Sequence, residues 1–116
     1  IDLGKVFRDC EAYLIALEYF DKAIALSYLP INKELLVEAY DLRGGVKTFL
    51  SRYLESVVDY SKAIELDPKN SYLYFGRGMS YKYLGQKEEA LKDLKMSQLL
   101  DPYFDLPKII IDFLGK

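Results

Sequence analysis

Two stretches of this chain match each other at a fixed offset of 34 residues, and that periodicity restricts the fold more than any other feature. Gly44 is matched by Gly78, Ser56 by Ala90, Tyr60 by Leu94, Ala63 by Ser97 and Leu66 by Leu100, and both stretches close on Asp-Pro, at Asp67-Pro68 and Asp101-Pro102. An earlier copy precedes them at an offset of 40, with Gly4, Ala16, Phe20, Ala23 and Leu26 in the equivalent places. A unit this short cannot bury its own apolar face, so copies must stack and share a continuous core. The clearest copy runs from Asn70 to Pro102 through Tyr74, Gly78, Tyr81, Gly85, Ala90, Leu94 and Ser97. A glycine within a helix costs about 1 kcal/mol relative to alanine, so Gly78 implies a neighbouring helix pressed against it.

The spacing inside each unit is helical. Leu35, Ala39, Leu42, Val46, Phe49 and Leu50 recur at the period of a helix face, as do Leu54, Val57, Val58, Ala63, Ile64 and Leu66. Asn32 and Asn70 or Ser71 are suited to cap helix N-termini, and each proline stands just beyond a helix end. Helices are predicted near 2–10, 12–27, 33–49, 53–66, 71–84, 87–100 and 106–114, with no alternating stretch that reads as a strand. The fold class predicted is all-α, a right-handed stack of antiparallel helix hairpins. Its units are expected near 1–28 (short at its start), 37–70 and 71–104, with an insertion near 29–36 and a capping helix near 105–116. The small positions Ala16, Gly44, Ser56, Gly78 and Ala90 are assigned to close helix crossings, and Phe20, Tyr60 and Leu94 to the space between hairpins.

Here the sequence resembles the tetratricopeptide repeat. The family pattern of a large aromatic, Leu-Gly, Tyr, Ala, an aromatic, Ala and Pro is met in the third unit by Tyr74, Arg77-Gly78, Tyr81, Gly85, Ala90, Leu94, Ser97 and Pro102. The second unit supplies Tyr40, Arg43-Gly44, Ser56, Tyr60, Ala63 and Pro68, with Lys47 where a tyrosine is usual. The first supplies Leu3-Gly4, Phe7, Ala16, Phe20 and Ala23, without the opening aromatic or the closing proline. Sel1-like repeats have longer periods and fit the first offset, but the 34-residue second offset and the Asp-Pro endings favour the tetratricopeptide repeat.

The resemblance implies a concave surface lined by the first helix of each unit, and so a protein-interaction module that binds a peptide or protein surface in its groove. The groove residues implied are Lys5, Arg8 and Asp9 in the first unit, Glu38, Asp41, Gly45, Thr48 and Phe49 in the second, and Tyr72, Phe75, Met79, Lys82 and Tyr83 in the third. The last set follows i, i+3, i+7, i+10 and i+11, one stripe of a helix. Aromatic and methionine area with a basic edge suits peptide recognition. A C-terminal helix folded across the stripe is the competing use for it. One subtype of the family holds chaperone C-termini with a Lys/Asn/Asn/Lys/Arg clamp; the matching positions here are Ile1, Lys5, Leu42, Tyr72 and Gly76, so the clamp is absent.

Composition narrows the function classes. A net charge of −2 without a Lys/Arg run argues against nucleic-acid binding. Apolar runs such as Ile109-Ile110-Ile111 are too short to span a bilayer, and no signal peptide is visible, so no membrane association and a cytoplasmic location are expected. The start at Ile1 without methionine reads as a processed product or excised fragment. The single cysteine, Cys10, excludes an internal disulfide. The chain has eleven tyrosines and no histidine, so it lacks the commonest acid–base side chain, and Cys10 has no imidazole to activate it. Carboxylates and one thiol without ligand spacing make no metal site. Gly76-Arg77-Gly78 begins like a dinucleotide fingerprint, but Tyr81 replaces the required glycine. Glu88, Glu89 and Asp59 read as solvated helix faces. No enzyme activity and no cofactor are expected.

Two function classes remain: an adaptor that captures a partner in the groove, or a scaffold whose repeats join copies of the chain or parts of a longer protein. The tail bears on the second. Asp105-Leu106-Pro107 is a helix start, and Ile109, Ile110, Ile111, Phe113 and Leu114 then cover more than one face, leaving apolar area for self-association.

Overall fold

The computed structural model describes residues 3–26 and 32–115, with side chains described for residue 9 and from residue 11 onward within those spans. Six helices follow in order: α1 Leu3–Ala25, α2 Lys33–Phe49, α3 Tyr53–Leu66, α4 Ser71–Tyr83, α5 Lys87–Leu100 and α6 Leu106–Leu114. There is no strand among the described residues. The pairs α2/α3 and α4/α5 form two antiparallel hairpins; α1 packs on α2, α3 on α4, and α6 on α5. The stack measures 42 × 40 × 23 Å.

Local chemistry sets the helix ends. The side chains of Asn32 and Asn70 accept from the backbone N–H groups of Glu34 (2.8 Å) and Tyr72 (3.1 Å), capping α2 and α4 as their sequence positions predict. Each hairpin turns through a residue with positive φ, Ser51 at 63° and Gly85 at 80°. Beyond it, the N–H of Arg52 donates to Lys47 O at 2.7 Å and that of Gln86 to Tyr81 O at 2.9 Å. These six-residue closures around a left-handed residue end a helix sharply.

The first unit differs from its prediction. Helices were expected at 2–10 and 12–27, but α1 is one continuous helix of 23 residues. The residue equivalent to Ser51 and Gly85 is Glu11. A left-handed conformation costs a side-chain-bearing residue about 1–2 kcal/mol, and nothing else near Glu11 interrupts the helix, so the turn is not made. Gly4 and Phe7 of this unit, Cys10, and Tyr28 to Ile31 of the insertion lie outside the residues with described side chains. Lys33–Leu36 lengthen α2 by a turn at its start.

The core runs between the hairpins. Leu73, Ala63, Ala90 and Leu94 are fully buried, and Val37, Tyr60, Ala63 and Leu73 form one cluster. Each buried leucine contributes about 1.5–3 kcal/mol from apolar burial. The small positions work as the pattern requires: a Cβ placed on Gly44 would lie 3.1 Å from the Tyr60 ring, and one on Gly78 would lie 3.1 Å from Leu94.

A repeated ion pair crosses each hairpin. Arg43 donates to both carboxylate oxygens of Asp59 at 2.6 and 2.8 Å, and Arg77 donates to both of Asp93 at 2.7 and 2.8 Å. Arg43 also reaches Asp21 of α1 at 2.8 Å, tying the first unit to the second. Asp59 is therefore not the solvated residue expected: it is 1% exposed and also meets Lys47 Nζ at 3.1 Å. Lys47 stands where the family pattern has a tyrosine, and here it helps to neutralise that carboxylate. A buried carboxylate is tolerated because the guanidinium fork satisfies both oxygens.

Candidate peptide-binding groove

The side chains predicted to face a groove occupy α2 and α4, and the structure groups them into pieces with separate characters. On α2, Glu38 and Asp41 line a cleft of about 470 Å³ with Glu34, Asp67 and Asn70 on its polar wall and Val37 and Leu66 on its apolar one. Lys33 stands at the same cleft. Burial, and secondarily the charge of Glu38, holds the Asp41 carboxyl above its ordinary range. This end of α2 is acidic because four carboxylates face one lysine across the cleft.

On α4, Tyr72 and Phe75 come together under a residue that the sequence pattern did not single out. The ring of Phe104, from the α5–α6 connection, lies 4.8 Å from Tyr72 and 5.1 Å edge-on from Phe75. Tyr72 keeps 57% of its surface exposed. Phe104 falls 34 residues after Asn70, so the repeat itself places an aromatic where the preceding unit has its cap. Met79 is half-buried midway along the helix. At the far end, Lys82 lies over the Tyr83 ring at 5.0 Å, and Tyr83 stacks on Tyr53 of α3 at 5.2 Å. On α2, Phe49 packs against Tyr13 of α1 with ring centres 4.2 Å apart.

Thr48 is occupied otherwise. Its hydroxyl bonds the Gly44 carbonyl at 3.0 Å and joins Ser56 and Ser80 in a three-hydroxyl network across α2, α3 and α4. With Thr48 donating to Gly44 O and Ser80 to Gly76 O (3.1 Å), the Ser56 proton closes the network and no buried hydroxyl in it is left over. Lys5 and Arg8 belong to α1, and their side chains lie outside those described.

Two further features had weaker signals. Tyr60 sits beneath the first helices of both hairpins: a Cβ on Gly45 would lie 3.4 Å from its hydroxyl, and one on Gly76 would lie 2.9 Å from it. The adjacent glycine pair Gly44-Gly45 and the unmatched Gly76 were the available clue. Burial, with Asp41 and Asp59 nearby, raises the phenol's pKa well above the ordinary tyrosine range, so it remains a neutral hydroxyl. On α6, Leu106, Ile109 and Phe113 are 47%, 57% and 71% exposed. They stand 34 residues after Tyr72, Phe75 and Met79.

Among the described residues there is no cluster of metal-ligand side chains, and no helix is long and apolar enough to cross a membrane. One tetratricopeptide-repeat family model matches residues 37–70, and a second matches residues 59–92.

The chain carries a tetratricopeptide-repeat domain.

It is 30% identical over 122 residues to the Hsp70-Hsp90 organizing protein of Triticum aestivum, an alignment covering 88% of this chain and 21% of that protein. The chain spans about a fifth or less of the length of the curated relatives it matches. In fold it is similar to the Arabidopsis OM64 tetratricopeptide-repeat domain, with a TM-score of 0.79 at 22% identity, covering 96% of this chain and 87% of that one. The second such domain of human RPAP3, solved with an HSP70 peptide, gives a TM-score of 0.80 at 24% identity, covering 99% and 91%. The all-α stack of hairpins is thus the tetratricopeptide-repeat fold, whose members are protein-interaction modules.

Proposed function

We propose that this domain is a non-enzymatic adaptor that binds an extended peptide segment in the groove formed by α2, α4 and α6. The observation that carries this reading is the alignment of three rows at the 34-residue period: Glu38 and Asp41 on α2, Tyr72, Phe75 and Met79 on α4, and Leu106, Ile109 and Phe113 on α6. Equivalent positions of stacked repeats lie on one side of the stack, so the rows follow one another across a single surface. The exposed rings supply apolar area that the hairpin crossings do not use.

The chemistry of the rows describes the ligand. Apolar side chains of the peptide rest on the α4 and α6 rows, with Phe104 filling the space beneath Tyr72. A lysine or arginine of the peptide lies over Glu38 and Asp41, where it relieves the charge that Asp41 carries in its half-buried site. An acidic tail of the kind in the RPAP3 complex, which ends Glu-Glu-Val-Asp, meets carboxylates on α2 and Leu42, Tyr72 and Gly76 at the clamp positions. Such a tail is not the preferred ligand.

A peptide-display library panned on the domain provides the test. Selected peptides are expected to combine apolar residues with a basic one, and Tyr72→Ala with Phe75→Ala is expected to weaken them at least tenfold while the helical circular dichroism is retained. Unchanged affinity in the double variant would remove the α4 row from the site.

A further inference from the structure

The first unit has the sequence of a hairpin and the shape of a rod. In α4/α5, a Cβ on Gly78 would meet Leu94 at 3.1 Å and the Cβ of Asp93 at 3.2 Å. The same register pairs Gly4 with Tyr19 and Phe20. Along a continuous helix, sixteen residues span about 24 Å, so Gly4 and Phe20 of one chain do not meet while α1 is straight.

The half of α1 that would receive such a partner is uncovered. Ser56, Asp59, Tyr60 and Ala63 of α3 are at most 7% exposed, and Ala90, Asp93, Leu94 and Ser97 of α5 at most 4%. The equivalent stripe of α1 is Ala16, Tyr19, Phe20 and Ala23; Tyr19 is 69% exposed, Ala23 is exposed, and the other two are only half-buried. The α1/α2 contacts also show where the other half of the helix goes. Tyr13 lies against Phe49 and Asp21 against Arg43, so the two helices are antiparallel, and residues 3–10 continue past the C-terminal end of α2 for up to about 15 Å.

We propose that the missing hairpin closes between two copies of the chain: residues 3–10 of each α1 pack on residues 16–23 of the other. The register supports this occupant over any other helix. Each of the other units faces an arginine with an aspartate across the hairpin, Arg43 with Asp59 and Arg77 with Asp93. In the first unit those two places hold Leu3 and Tyr19, an apolar pair that suits itself and not its neighbours. Pairing residue 4 with residue 20 and residue 20 with residue 4 puts the midpoint at Ala12, so the two rods are related by a two-fold axis there and the contact is closed. Glu11 is the device, because a residue reluctant to turn left-handed keeps the helix open and leaves exchange as the way to bury the stripe. In this arrangement Lys5 and Arg8 of the second copy stand at the register positions of Gly45 and Thr48, next to the groove row on α2.

The test is a disulfide trap in the full chain. In a Cys10→Ser background, Gly4→Cys and Tyr19→Cys copy the Gly78–Asp93 geometry, whose 3.2 Å Cβ separation is close to the roughly 3.5–4.5 Å of a disulfide. Air oxidation is expected to give a reductant-sensitive covalent dimer carrying both bonds. A compact covalent monomer would mean that residues 3–10 fold back on their own chain, and no bond in either form would mean that the two stripes do not meet; both outcomes overturn the proposal. Light scattering on chains without added cysteines guards against a misfolded trap. The unmodified protein is expected at twice the chain mass, and Glu11→Gly, which permits the turn, at the monomer mass with its helix content kept. A monomeric unmodified protein, or a Glu11→Gly variant still wholly dimeric, overturns the proposal equally.

Discussion

The ring of Tyr60 passes so close to Gly76 that a Cβ there would lie 2.5 Å from it, while Gly44 on the other side leaves 3.1 Å. The ring therefore cannot yield toward either helix, and the contact sets the distance between the two hairpins. Gly76→Ala is expected to destabilise the domain by about 1–3 kcal/mol through overpacking, outweighing the ~1 kcal/mol that alanine adds to helix propensity. Urea unfolding measures the net effect. A more stable variant would mean that Tyr60 has room to move.

Asp59 accepts from Arg43 and meets Lys47 while 1% exposed. Asp59→Ala leaves two cations facing each other in a water-poor site, and the expected loss is about 3–5 kcal/mol. Adding Arg43→Met to Asp59→Ala should recover part of it, because the unpaired guanidinium goes with its partner. A double-mutant cycle by chemical denaturation reads the coupling, and strictly additive losses would contradict it.

How much of this was legible in the sequence depends on whether the signal was periodic. The 34-residue offset located Gly44, Gly78, Ser56, Ala90 and the caps Asn32 and Asn70, because each of these roles recurs with every unit. It also contained the Arg43–Asp59 and Arg77–Asp93 pairs, yet Asp59 read as a surface charge, since a lone aspartate on a helix does not reveal which way it points. The break between 10 and 12 was misread for the opposite reason. The pattern demanded a turn, but the single residue that had to adopt positive φ was Glu11 rather than glycine or serine. Phe104 and the floor position of Tyr60 depend on contacts between units, which no property of one unit predicts.

The Ser97 hydroxyl is fully buried without a hydrogen-bond partner, where the equivalent residues Ala63 and Ala23 carry no polar group. Ser97→Ala removes that desolvation cost and is expected to stabilise the domain by about 1 kcal/mol. A rise in the thermal midpoint checks this, and a clear fall would show that the hydroxyl is satisfied in solution.

Asp41 gives the groove a pH signature. Its carboxyl is raised by burial and by Glu38, so the folded state binds the proton more tightly than the unfolded chain does. The stability this confers is complete below the ordinary aspartate range and is lost as pH rises through the raised value. At neutral pH the charged carboxylate is thus a burden, and Asp41→Asn should be more stable than the parent there, with the advantage vanishing in acid. The same variant should bind a basic peptide more weakly. A pH series of unfolding midpoints tests the first half, and a neutral-pH advantage that persists unchanged in acid would refute the electrostatic account.

The central claim is that α2, α4 and α6 present one continuous ligand surface. Amide chemical-shift mapping with a display-selected peptide tests it most directly. The account predicts that the largest changes fall at Glu38, Asp41, Tyr72, Phe75, Met79 and Ile109, and that they disappear together in the Tyr72→Ala, Phe75→Ala variant. Changes concentrated instead on α3 and α5, around Leu54, Val58 and Leu99, would contradict it.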